Sequence, residues 1–212
     1  MSVAAHVDPA SLRLIAITDS LRDGIDGLAS RAARAVLGGA TMIQVRLEHE
    51  SPRTLVESAR AIVHAVAPAP VLVSARADVA LAAGAHGVYS SVDDLSPAIL
   101  RRFVPEGFII GVSLGSEADL TRVTGADFVG IGPLFSSGAS GAAVGLGLDR
   151  FAALARRAAL PAVAIGGIAA DNVRDVMRAG ASGVAAISAV FASSDAMVAA
   201  AALCAAMKDA RA

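Results

Sequence analysis

Tryptophan is missing from this chain, tyrosine occurs once, and aromatic side chains make up only 3% of its 212 residues. A core without many large rings has to be assembled from Ala, Val, Ile and Leu, which supply most of the 55% of the sequence that is hydrophobic. Small side chains of this kind suit layered α/β packing. Cysteine is almost as scarce. Cys204 stands alone, so no internal disulfide can form, and no Cys/His cluster accompanies it. A reduced, cytoplasmic setting is the expectation. His6, His49, His64 and His86 lack metal-ligand spacing. Charge of one sign is also lacking: 18 basic and 19 acidic residues leave a net charge of −1, which argues against nucleic acid and anionic membranes as partners. Lys208 is the sole lysine. Met1 to Ala10 show neither the basic nor the apolar region of a signal peptide, and the apolar run Ala196 to Met207 is too short to span a bilayer.

What the chain does have is a repeated alternation of strand and helix. The stretch Leu160 to Ser188 shows it most clearly. Pro161 opens an apolar run over 162–165 of the kind buried on both faces in a parallel sheet. Gly166-Gly167 end it without a Cβ, which lets a ligand approach the backbone. Asp171 and Asn172 start a helix that closes on Gly180, and a second strand over 183–187 ends at Ser188. Two adjacent strand ends with free amides match the phosphate site after strands seven and eight of a (β/α)8 barrel.

From Leu12 onward the patterning predicts eight such units. Strands are expected over 12–18, 41–47, 71–74, 87–90, 108–114, 128–134, 162–165 and 183–187. Helices are expected over 26–37, from Ser51-Pro52 to Pro68, over 78–83, from Ser96-Pro97, and over 117–124, 149–158, 171–179 and 194–209. Residues 1–11 are expected to form a frayed N-terminal arm, and residues 12–212 one barrel domain. The segments GGATMIQV, GAHGVYS, GADFVGIG and GASGVAAIS repeat one pattern, in which glycine ends a helix and hands over to a strand. Regular alternation without GxGxxG after strand one favours a single (β/α)8 TIM barrel over a Rossmann sheet.

Chemistry in such barrels sits at the C-terminal ends of the strands. Those ends carry Asp19, Gln44, Arg46, Ser74, Arg76, Tyr89, Asp94, Ser113, Ser136, Ser137, Gly166, Gly167, Ile187 and Ser188. Gln44 and Arg46 alternate along one strand and so share a face, which favours function for Arg46 over a surface position. Asp94 reads equally as a helix or turn cap and as a functional carboxylate, and Tyr89 reads as packing or as a ligand contact.

These residues also carry a resemblance. Ile17-Thr18-Asp19, Gly39-Ala40 before Gln44-Val45-Arg46, Arg76-Ala77-Asp78-Val79-Ala80 and Gly87-Val88 fall in order. They are followed by Asp93-Asp94-Leu95, Ile110-Gly111-Val112-Ser113, Gly132-Pro133-Leu134-Phe135, the run over 164–168, and Ala186-Ile187-Ser188. In these landmarks the chain is similar to the thiamine phosphate synthase/TenI family of (β/α)8 barrels, from Leu12 to Ala206. The resemblance implies an enzyme of thiamin biosynthesis that joins a pyrimidine-methyl diphosphate to a thiazole phosphate. Diphosphate leaves, a pyrimidine cation forms and the thiazole nitrogen captures it, with Mg²⁺ and cations meeting the leaving charge. It assigns catalysis to Gln44, Arg46 and Ser113, the phosphate monoester to Gly166, Gly167, Ile187 and Ser188, other pocket contacts to Ser74, Arg76, Tyr89 and Ser137, and a metal ligand to Asp94.

The chain also departs from the family pattern. Glu48 stands where the family has lysine, Ala75 where it has a metal-binding aspartate, and Tyr89-Ser90-Ser91-Val92 where it has His-Leu-Gly-Gln. Ser136 to Ser140 replace a Pro-Thr-x-Thr-Lys run, and Pro133 replaces the histidine usual in the TenI isomerase branch. Three readings stay open: a divergent synthase with weak or altered activity, a TenI-like thiazole isomerase, and a non-catalytic barrel that binds a small phosphate. An epimerase or decarboxylase would need an Asp/Lys or paired-Asp constellation, and the missing lysines count against it. The sequence leaves oligomeric state open, homo-oligomers included.

Overall fold

The structure is a computed structural model that describes residues 7–91, 93–136 and 145–208. Eight short strands form a closed barrel: β1 (Leu14–Ile17), β2 (Met42–Val45), β3 (Val71–Ser74), β4 (Gly87–Ser90), β5 (Ile109–Leu114), β6 (Phe128–Ile131), β7 (Ala162–Ile165) and β8 (Gly183–Ala186). Every neighbouring pair is parallel, and β1 pairs with both β2 and β8. This is the (β/α)8 barrel expected from the sequence. β1, β2, β6 and β8 are buried at every position, as strands covered on both faces must be.

Outside the strands run α1 (Gly24–Leu37), α2 (Pro52–Val66), α3 (Ala77–Ala83), α4 (Pro97–Leu100), α5 (Leu148–Ala158), α6 (Val173–Arg178), α7 (Ser188–Phe191) and α8 (Ala196–Lys208). α2 shows how the sequence builds one. The Ser51 side chain accepts the Thr54 amide at 3.1 Å, Pro52 takes the first helical position, and Leu55, Ala59, Ile62 and Val66 bury one stripe.

Three segments depart from the expected pattern. Residues 117–122, expected as an α-helix, form a 3-10 helix. None of its residues is buried, so no apolar stripe favours the wider α turn, and Asp119 accepts the amides of Gly115 and Ser116 at its start. Ser188, read as the end of strand eight, instead begins the separate helix α7. Of the expected frayed arm, residues 1–6 lie outside the described residues. Its remainder is packed: Val7 is 3% exposed, and Pro9–Leu12, which takes in the expected first residue of strand one, forms a 3-10 helix whose first turn is capped by Asp8. Val7 and Leu12 cluster with Ile15, Met42, Leu72, Phe128 and Val163 inside the barrel, so this segment closes the N-terminal end of the strands.

Two internal features support the site above. Tyr89 packs against Phe128, with ring centroids 6.0 Å apart and an interplanar angle of 31°. Its room comes from glycines on the next two strands: a Cβ at Gly111 would lie 2.8 Å from Tyr89 Cδ2, and one at Gly130 would lie 2.0 Å from the hydroxyl. Asp127, 3% exposed, accepts the Ile110 amide at 2.7 Å and pairs with Arg101, which also donates to the carbonyls of Gly125 and Phe108.

Candidate active site

A cavity of about 350 Å³ opens at the C-terminal ends of the strands. Its polar floor is neutral. Gln44, 3% exposed on β2, donates through Nε2 to Ser74 Oγ on β3 at 2.9 Å. Tyr89 and Ser113, from β4 and β5, complete the floor. Burial pushes the Tyr89 phenol well above its ordinary pKa, and the neighbouring Ser113 hydroxyl only partly offsets this, so Tyr89 serves as a neutral polar group.

Charge lies at the rim. Arg46 is held by its backbone: Thr18 Oγ1 accepts the Arg46 amide at 2.9 Å and donates to its carbonyl at 3.2 Å. The guanidinium meets Glu48 at 2.7 Å. Asp94 also lines the cavity, and its Oδ2 accepts the Ser91 amide at 2.7 Å, the capping role that the sequence left open for it. The charged side chains on the described wall are therefore one cation and two carboxylates.

The opposite wall is backbone. Gly166 and Gly167 follow β7 with φ of +95° and +67°, a region that favours glycine. Asn172 fixes this turn, accepting the Ala169 amide at 3.0 Å and donating to the Gly167 carbonyl at 2.8 Å. Ile187 and Ser188 follow β8, and the first amides of α7 have no intrahelical acceptor. These four residues line the cavity together. Outward-facing amides in such an arrangement suit an anion.

Most of the expected site residues thus meet in one place: Gln44, Arg46, Ser74, Tyr89, Asp94, Ser113, Gly166, Gly167, Ile187 and Ser188. Arg76 does not. It turns away to pair with Asp78 in two contacts of 2.8 and 2.6 Å, because a carboxylate two residues on, in the first turn of α3, captures the guanidinium. Ser137 and Ser140 lie outside the described residues. Sequence reading missed the apolar part of the wall, formed by Ile17, Ile165 and Ile168. The signal was present, since Ile17 and Ile165 are the last residues of their strands, but an apolar strand end reads as core.

The donor set around Asp94 does not build a metal centre from the protein alone. Position 75 is an alanine with φ of +61°, the Asp94 carboxylate is already engaged by an amide, and no group of three metal-ligating side chains exists among the described residues.

A family model described as thiamine monophosphate synthase matches residues 14–190. The chain belongs to that family. Thiamine-phosphate synthase of Azorhizobium caulinodans is 40% identical over 192 residues, covering 88% of this chain and 91% of its own. The enzyme of the same name from Xanthobacter autotrophicus is 41% identical over 208 residues, covering 96% of this chain and 99% of its own. Among solved structures, a thiamine phosphate pyrophosphorylase from Pyrococcus furiosus superposes with a TM-score of 0.85 at 31% identity, covering 96% of this chain and 99% of its own. This member of the thiamine monophosphate synthase family therefore has relatives named as thiamine-phosphate synthases, and among its described residues no helix is long and apolar enough to cross a membrane.

Proposed function

We propose that this protein binds a thiazole phosphate monoester on the amides of Gly166, Gly167, Ile187 and Ser188, and that it is a synthase-type transferase with weak turnover of the pyrimidine-methyl diphosphate. The observation that carries the proposal is the contrast between the two walls of one cavity. The β7–β8 wall offers neutral backbone donors on a turn whose positive φ values favour glycine. The β2–β4 wall offers Arg46 already paired with Glu48, and Ala75 beside a lone Asp94.

In this reading the Gln44–Ser74 and Tyr89–Ser113 pairs orient a heteroaromatic ring by hydrogen bonds, and Ile17, Ile165 and Ile168 exclude water around it. Arg46 is the one described cation placed to meet negative charge leaving the pyrimidine carbon, and Glu48 competes for it. When bound with its diphosphate substrate, Mg²⁺ would supply further charge neutralisation. Ala75 and Glu48 equally favour a second reading, a non-catalytic barrel that binds a small phosphate.

Two measurements test these readings. Titration with thiazole phosphate should show saturable binding, and thiamin phosphate formation should run about 10²-fold or more below that of an ordinary synthase. Turnover at an ordinary rate would refute the weak-transferase reading. Binding with no turnover would favour the non-catalytic one, and absence of binding would overturn both.

A further inference from the structure

We infer that Arg22 and Arg31, neither of which lines the cavity, are positioning residues that clamp α7 from behind and so aim its amides at the phosphate. The inference rests on the proposed phosphate cradle and adds a dependence on the loop between β1 and α1. α7 has only four residues, too few to hold a helical turn unaided, so outside contacts set its orientation.

Those contacts converge on its last residue, Phe191, which is fully buried. Arg22 Nη2 donates to the Phe191 carbonyl at 2.8 Å, where a helix has unpaired acceptors and favours a cation. The Arg31 guanidinium lies 5.9 Å from the centroid of the Phe191 ring, within range of a cation–π contact. Two carboxylates hold the two arginines. Asp19 lies 3.2 Å from Arg22 and 3.4 Å from Arg31, and Asp23 lies 3.5 and 3.6 Å from them. Asp19 was singled out in the sequence as a strand-end candidate. It reaches α7 through these arginines and does not line the cavity.

Stability alone is a poor account of Arg31. Its Nη1 is buried without a hydrogen-bond partner and its Nε has only the 3.6 Å ion-pair approach to Asp23, an arrangement that costs free energy. Its remaining bond, from Nη2 to the Ser20 carbonyl at 2.8 Å, ties α1 to the preceding loop. Placement over Phe191 gives that cost a purpose.

The test uses the full chain and inorganic phosphate as probe. Arg22→Gln and Arg31→Met should each raise the phosphate Kd about tenfold or more, and should speed hydrogen exchange at the amides of Val190, Phe191 and Ala192. Arg22→Lys, which can still donate to the Phe191 carbonyl, should restore most of both. In a Ser188→Asp background, whose carboxylate already expels phosphate, Arg22→Gln should still speed exchange. Phosphate bound by the unmodified chain and equally well by the arginine variants would overturn the clamp and leave the cradle standing. Unchanged exchange in those variants would also overturn it. No phosphate binding by the unmodified chain would overturn the cradle, and the positioning role with it.

Discussion

Arg46 and Glu48 form an ion pair of 2.7 Å at the cavity rim, so the described cation nearest the polar floor is countered by a carboxylate two residues along the same chain. Both side chains are partly exposed, and such pairs are worth about 0–1 kcal/mol. An incoming anion can therefore break the pair, but it then meets the Glu48 charge.

Reversing that charge should raise activity. Ala75→Asp together with Glu48→Lys should increase thiamin phosphate formation from the diphosphate substrate by about 10-fold or more. Aspartate suits position 75 because Asp tolerates the positive φ found there better than alanine does. The check is a steady-state assay of both single variants and the double variant. No gain in the double variant would show that the missing charges are not what limits turnover.

Phosphate binding is tested most cleanly at Ser188. Ser188→Asp places a carboxylate in the first turn of α7, where it is compatible with the fold, and should abolish phosphate binding with little change in Tm. Gly167→Val is a poor test. A Cβ at Gly167 would lie 2.7 Å from Phe135 Cβ, so that variant should lose stability before its effect on the ligand could be read. Titration calorimetry and a thermal melt separate the two variants.

The barrel pattern was legible because glycine, proline and capping serine punctuate apolar runs of strand length. β3 and β4 fall over the residues expected for them, with Pro70 and Gly87 at their starts. Site residues were legible where they share a strand end, as Gln44, Ser74, Tyr89 and Ser113 do. Arg76 was not, because its outward turn depends on a pairing with Asp78 that competes with any pocket role. α7 was hidden for another reason: SAVF carries neither helical periodicity nor a capping side chain, and its surroundings, α8, β1 and the two arginines on Phe191, are set by the tertiary fold.

Asp127→Ala should destabilise the barrel by about 3–5 kcal/mol, because it leaves the Arg101 guanidinium partly buried without its carboxylate and the Ile110 amide without its acceptor. Urea unfolding measures this. A loss below about 1 kcal/mol would mean that water replaces the carboxylate.

Gly130→Ala should destabilise by about 1–3 kcal/mol, since the new methyl would meet the Tyr89 hydroxyl at 2.0 Å. Tyr89→Phe in the same chain should recover part of the loss, because it removes the atom in closest conflict. A double-mutant cycle on thermal melts reads the coupling, and strict additivity would contradict the packing described.

Acid should weaken the fold through His86. Its Nδ1 accepts the Val71 amide at 3.0 Å, and desolvation by partial burial holds its pKa below the ordinary 6.5. The folded chain thus binds this proton less readily than the unfolded chain. The contribution is complete above about pH 6.5 and is lost as pH falls through the lower folded value. His86→Asn, which keeps an acceptor without a titrating ring, should flatten that decline in urea midpoints measured between neutral and acidic pH.

Val7 and Leu12 stopper the barrel at one end, so whatever enters the cavity must leave by the way it came. Two ligands that share the cavity therefore have to use the same mouth.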